Sequence, residues 1–476
     1  MRSSPLGNPP LLCSHGKPRG IYFIHLPILR AIMHLLLDFY VVCKNYQYNH
    51  VIVKGLLVRH IYNLFLYLIL PFLPLRLLWK SRKNAAYRQH MLERFAFFDL
   101  PDLKDSIWLH AVSVGESISA VPLIQELIRD YPQTTIVVTT MTPTGAERIQ
   151  KIFNGQVLQL YVPYDYPFAV KRFLRHINPK ILILMETELW PNILYYSAES
   201  KIPIILANAR LSEKSFVNYK KVHSFMLPIL NCITIVAAQS KLDAERFLAL
   251  GFDPKKILIT GNIKFDVKVP GGLFEHSKQL RLAWGKDRPV WIAASTHKGE
   301  EEKILAAAKI VRETIPESLL ILVPRHPQRF NEVFDLCCKL GFEAIRYSEN
   351  QKCLASTNVI LGDVMGQLLL FYAVSNIAFV GGSFVSWGGH NLLEPAVLAK
   401  PIISGQHLNA FLEISQLLID AEALITVIDE VALAQNLVRL FQNKTLQEKL
   451  GCSALDVVEK HRGATKKILS YVKSFL

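Results

Sequence analysis

Glu116 follows Gly115 where an apolar run gives way to a helical pattern, in HAVSVGES at 110–117. A carboxylate placed there can face a cleft beside backbone amides and act as a general base. It can equally do no more than complement the positive end of the helix, and the spacing leaves both roles open. Glu186 and Glu188 close the very apolar run KILILM at 180–185. One of them is expected toward a cleft and the other on the opposite side, with Thr187 between them. An acid at that point can hold a hydroxylated ligand, stay protonated when desolvated, or cap the helix that starts at Trp190-Pro191. Lys264 and Arg325 follow two further apolar runs, ILIT and LLILVP. Facing one another they clamp a phosphate, the arginine through two parallel hydrogen bonds; a surface salt bridge is the plainer role. In GGSFVSWGGHNLLEP at 381–395, Gly and Ser residues let backbone approach a ligand before Asn391 opens an apolar helix. Amides at such a start can take a phosphate, and Glu394 can accept from ribose hydroxyls.

These residues need elements that bring them to one place. From residue 107 the chain repeats a short β-branched run, a turn and an apolar-periodic helix: IWLHAV, TTIVVTT, LQLYVP, KILILME, IPIILANA, ITIVAAQ and KILITGN. After GNIKFDVKVPGG the pattern restarts with VWIAAST, LLILVPRH, TNVILGD, IAFVGGS, KPIISG and ALITV. Near-continuous apolar strands joined by helices predict parallel sheets covered on both faces. The fold class expected is therefore α/β, with two Rossmann-like doubly wound domains over 84–268 and 269–476 and a Gly/Pro linker near 266–288. Ligands of such sheets bind beyond the carboxyl ends of the strands, so the turns there supply further cleft candidates: Ser113, Gly115, Arg210, Ser295, His297, Gly382 and Ser383.

Several chemistries are disfavoured. Ala111-Val-Ser113-Val-Gly115 looks like a nucleophile elbow, but the first glycine is replaced and the serine lies before the turn. Neither G-x-x-x-x-G-K-[ST] nor G-x-G-x-x-G occurs, and no H-E-x-x-H or magnesium-holding acidic cluster stands out, so the sequence calls for no metal and no cofactor. Seven cysteines without C-x-x-C, mostly in apolar runs, read as reduced thiols.

Composition excludes disorder and coiled coil, with 51% hydrophobic and 20% charged residues over 476 positions. The formal charge is +15, and the first hundred residues carry 13 bases against 3 acids. Basicity clustered beside an apolar run suits an anionic bilayer surface and not nucleic acid. That run, Leu64–Leu75, is broken by Pro71 and Pro74 and followed by Arg76, Lys80, Arg82, Lys83 and Arg88. It is too short for a clean crossing, which takes about 20 apolar residues. Residues 59–83 are therefore expected to anchor by shallow insertion of a kinked helix, with a tilted single pass as the alternative. Residues 1–58 read as an extension, either disordered or an incorrectly assigned start.

Taken in order, HAVSVGE, METELWPN, NARLS, TGNIKFD, PRHP, GDVMGQL, GGSF and GGHNLLEP resemble the 3-deoxy-D-manno-octulosonic acid (Kdo) transferase family, from about His60 to the C-terminus. The resemblance implies a GT-B glycosyltransferase that moves Kdo from CMP-Kdo to the lipid A precursor lipid IVA in lipopolysaccharide biosynthesis. It further implies inversion at the anomeric carbon, no metal, and an inner-membrane location on the cytoplasmic side. By the matching motifs Glu116 would be the proton acceptor, and Glu186 and Lys264 would stabilise the transition state. Pro324, Arg325, Met365, Gly366, Gln367, Asn391, Leu392, Leu393 and Glu394 would hold CMP. The nearest rival is a two-domain transferase or epimerase using a UDP-sugar, of the lipid A disaccharide synthase type. Oligomeric state and the number of Kdo residues added are not encoded in any short motif.

Overall fold

The computed structural model describes residues 51–73, 79, 82, 90–98 and 102–476. Of the expected extension over 1–58, residues 1–50 lie outside the described residues, as do Arg76, Lys80, Lys83 and Arg88, and residues 51–58 belong to a helix.

Fourteen strands form two sheets in which every pairing is parallel. The first holds β1 (Ser106–His110), β2 (Ile136–Thr140), β3 (Leu158–Tyr161), β4 (Pro179–Met185), β5 (Ile204–Ala209), β6 (Ile235–Ala238) and β7 (Ile257–Ile259). The second holds β8 (Val290–Thr296), β9 (Leu319–Pro324), β10 (Ala344–Arg346), β11 (Val359–Leu361), β12 (Ile377–Val380), β13 (Ile402–Ser404) and β14 (Leu424–Thr426). Their orders are β3-β2-β1-β4-β5-β6-β7 and β10-β11-β9-β8-β12-β13-β14. Strands such as IVVTT and LLILVP are buried at every residue, because helices cover both faces. The order reverses between β1 and β4 and between β8 and β12, and the carboxyl ends of those strands open the crevice of each sheet.

Three features depart from the sequence reading. Strand β10 was not among the expected runs; an edge strand of three half-buried residues pairs on one side only and needs no continuous apolar run. The expected linker contains a helix, Leu273–Trp284, whose two end residues are buried in the second core. The last helix, Ala464–Lys473, leaves the second half: Ala464, Ile468, Leu469 and Val472 pack into the first core with Leu123, Ile124 and Leu127. Asp266 holds that return, its carboxylate accepting the amides of Gly463 and Thr465, each at 2.6 Å.

At the N-terminal side a helix runs from Val51 to Ile69 and gives way to a 3₁₀ turn, Leu70–Phe72, where Pro71 removes an amide donor. Among the described residues no helix is long and apolar enough to cross a membrane. Asp165 docks this helix to the body: its carboxylate accepts from the Tyr62 hydroxyl and from the amides of Asn192 and Ile193, all at 2.9 Å. The same carboxylate caps the helix Pro191–Glu199, the role the sequence reading left open for Glu188.

Candidate active site

Glu116 sits at the carboxyl end of β1, in the first turn of the helix Val114–Asp130. Ser113 caps that helix, its Oγ accepting the Glu116 amide at 3.2 Å and donating to Glu116 Oε1 at 2.7 Å. Oε2 accepts the Val112 amide at 2.9 Å. Ser113 thus caps the helix and is tied to Glu116, so it acts as a cap and not as an elbow nucleophile. The carboxylate is nonetheless tuned. Burial first, then the like charges of Glu188 and Glu186, push it up to about 8 against the Ser113 and Val112 hydrogen bonds. Glu116 has 4% of its surface exposed, and among the described residues no cation pairs with it. It is therefore a carboxyl group able to exchange a proton near neutral pH. Gly115 beside it is exposed and leaves the mouth open.

The opposite placement expected for Glu186 and Glu188 is not seen: β4 ends at Met185, and Glu186 turns left-handed with φ +57°. Both acids lie close enough to raise Glu116. Glu186 donates its amide to the Ala207 carbonyl at 2.9 Å, and the Thr187 hydroxyl bonds the carbonyl of Arg210, whose side chain is exposed. Glu188 Oε2 accepts the Trp190 indole N–H at 2.8 Å, and burial with the neighbouring Glu186 charge pushes Glu188 up to about 7.

Lys264 occupies a 3₁₀ turn, Ile263–Phe265, that folds back beyond β7 and touches the helix bearing Glu116. A buried amide network fixes it. Asn208 Oδ1 accepts the Ile263 amide at 3.0 Å, Asn262 Oδ1 accepts the Lys264 amide at 3.0 Å, and Asn262 Nδ2 donates to Gln239 Oε1 at 3.0 Å. The Lys264 side chain is half-buried.

On the second sheet, Arg325 follows β9, whose last residue is the buried Pro324; the Arg325 amide donates to the Thr296 carbonyl at 3.0 Å and its side chain is exposed. Its charge reaches Glu394, which burial raises and which Asn391 Nδ2 contacts at 3.1 Å. Leu392 and Leu393 are fully buried, leaving only their backbone for a ligand. The helix expected to open at Asn391 is short, Leu393–Val397. Met365 and Gln367 are exposed around Gly366 with φ +86°, just before the helix Leu368–Val374. Ser295 takes φ +58° within β8, and His297 follows it, buried.

The glycine-rich loop is built differently from an open anion cradle. Glu300, fully buried, accepts the amides of His297 (2.9 Å), Gly382 (2.7 Å), Ser383 (3.0 Å) and Phe384 (2.9 Å). Those amides are satisfied within the chain, so the Gly382-Ser383 segment braces the cleft floor. Glu300, Asp165 and Asn208 carry structural weight that sequence reasoning missed. GEE at 299–301 reads as a solvated helix start, and nothing local marks Glu300 as inward.

Two groups thus form, Glu116 with Glu186 and Glu188, and Arg325 with His297 and Glu394, each beyond the reversal point of its own sheet. Residues 89–267 match the family described as 3-Deoxy-D-manno-octulosonic-acid transferase (kdotransferase). The chain is 42% identical over 399 residues to the 3-deoxy-D-manno-octulosonic acid transferase of Haemophilus influenzae, covering 83% of this chain and 93% of that one. The chain belongs to the Kdo transferase family. A second Kdo transferase, from Bordetella pertussis, is 32% identical over 384 residues, covering 78% of this chain and 87% of that one. The UDP-GlcNAc 2-epimerase of Neisseria meningitidis shares the fold alone, with a TM-score of 0.53 at 13% identity over 78% of this chain and all of that one. As a Kdo transferase family member the chain is a glycosyltransferase of GT-B architecture.

Proposed function

We propose that the chain transfers Kdo from CMP-Kdo to lipid IVA with inversion at the anomeric carbon. The observation that carries this reading is the state of Glu116: a buried carboxyl, paired with no cation among the described residues and raised to about 8. Inversion in one step needs one base, and Glu116 takes the proton of the acceptor hydroxyl as its oxygen bonds the anomeric carbon. The bond from that carbon to the phosphate breaks, and its electron pair leaves with CMP. Lys264 and Arg325 supply positive charge for the departing phosphate, so no metal is assigned to the step. Glu186, beside Glu116, faces the positive charge that develops at the sugar. Pro324, Arg325, the Met365-Gly366-Gln367 turn and Asn391–Glu394 line the donor side.

The membrane face rests on the helix Val51–Ile69, which presents Leu64, Tyr67 and Leu68 to solvent, with Phe72 beyond it. Shallow insertion there keeps the crevice next to a lipid acceptor on the cytoplasmic side of the inner membrane. The test is purified protein with CMP-Kdo and tetraacylated lipid IVA, products read by mass spectrometry. Each added Kdo raises the mass by one sugar unit. Turnover with UDP-GlcNAc in place of CMP-Kdo would overturn the donor assignment.

A further inference from the structure

The second sheet holds chemistry that this reading does not use. His297, directly after β8, places Nε2 2.8 Å from Nε2 of His390. The rings are nearly coplanar, 8° apart with centroids at 5.0 Å, which is a head-on hydrogen bond within the ring plane. Trp387 stacks on His297 at 4.6 Å and 15°, and His326 meets it edge-on at 5.3 Å. The positions of these rings are set by backbone, since Glu300 accepts the His297 amide and Gly382 leaves room for the His390 ring, 2.9 Å from where a Cβ would stand.

Two nitrogens in that contact cannot both carry a proton, nor both be bare. In the neutral pair one ring is therefore protonated at Nε2 and the other at Nδ1, so the outer nitrogens offer one donor and one acceptor. A single added proton keeps the shared bond and makes both outer nitrogens donors on a cation. We propose that the His297–His390 pair is the proton-accepting part of the donor-phosphate site, taking up one proton when a phosphate monoester binds beside Arg325. The proposal rests on the CMP-sugar reading of this sheet.

The charges facing the pair favour this coupling. Arg325 and His326 bear on both rings and Arg329 on His297. The nearby carboxylates are committed elsewhere, Glu300 to four amides, Glu301 to Arg329 at 2.6 Å and Glu394 to the Asn391 side-chain amide at 3.1 Å. Burial and these cations hold His297 down at about 4 and His390 at about 3, so the ligand-free pair is neutral. Burial, the larger cause, remains, but an anion among the same cations offsets their part and favours the protonated pair. Its extra donor then points at a group whose negative charge grows as the bond to the sugar breaks.

Calorimetric titration of the full chain with CMP at about pH 7.5, in buffers of different ionisation enthalpy, reads the protons exchanged on binding. The nucleotide phosphate is already almost fully ionised there, with its second pKa near 6, so uptake belongs to the protein. The expected result is a net proton uptake, lost in His297→Asn and His390→Asn, with CMP bound up to about tenfold more weakly. CMP binding without proton uptake, or uptake unchanged in both variants, overturns the pair assignment and leaves the donor reading standing. No CMP binding at all overturns the donor reading and the pair with it. The wild-type measurement decides even where a variant fails to fold.

Discussion

Ile263 and Phe265 stand two residues apart in one 3₁₀ turn yet are buried in different cores, Ile263 in that of the first sheet and Phe265 in that of the second. Phe265 also stacks on His461 at 5.0 Å, just before the chain crosses back. Lys264 lies between these two anchors, so its ammonium group is positioned by both halves at once. A change in the angle between the sheets must move it.

Lys264→Ala should separate rate from stability. Surface changes away from packing stay within about 0.5 kcal/mol, and the half-buried Lys264 side chain makes no ion pair among the described residues. Loss of a preorganised charge at a developing anion costs about 10²–10³ in kcat. An unchanged kcat for Kdo transfer would remove Lys264 from the step.

Glu116→Gln keeps the Ser113 cap and an oxygen that can accept the Val112 amide, while removing the base. Kdo transfer should fall at least about a hundredfold. The parent fold should lose stability as pH rises, and this variant should not. Glu116 is raised from 4.5 to about 8, so its contribution is complete below about 4.5 and is lost as pH climbs to about 8. The melting temperature of Glu116→Gln relative to the parent chain should therefore rise across that interval. A difference flat in pH would show that Glu116 is not raised.

Glu188→Gln removes the largest like-charge effect on Glu116 while leaving its burial intact. The acid limb of kcat/KM reports the base of the free enzyme, and it should move to lower pH in this variant. A pH–rate profile with the limb unmoved would assign the titration to another group.

Glu300→Ala leaves four backbone amides without their acceptor inside a closed loop. Each buried unsatisfied donor costs about 1–3 kcal/mol, so the loss is several kcal/mol even with partial rescue by water. Thermal unfolding should show it plainly, and Glu300→Gln, which retains one acceptor oxygen, should lie between the two. A near-neutral alanine variant would mean that the loop amides find other partners.

Asp266→Ala should loosen the return of the last helix. Two amide acceptors at the start of Ala464–Lys473 disappear, at about 1–2 kcal/mol for a lost cap. Hydrogen exchange at residues 464–473 should speed up more than at the strands of the second sheet. Equal effects on both would show that the helix is held by its apolar face alone.

The strands were legible in the sequence because a parallel strand covered on both faces is nearly continuously apolar, as ILILM and LLILVP are. The turns after them were legible for a similar local reason: Glu116, Lys264 and Arg325 break apolar runs at the end where parallel sheets bind ligands. What these groups do to one another was decided only in three dimensions. Glu188 raises Glu116 from 72 positions away, Glu300 braces a loop more than 80 residues downstream, and His297 finds His390 93 residues further on. A pKa or a hydrogen bond depends on distance and burial, and sequence spacing carries neither across a sheet. The last helix shows the same limit: its apolar stripe required a core, and only the folded chain chose which one.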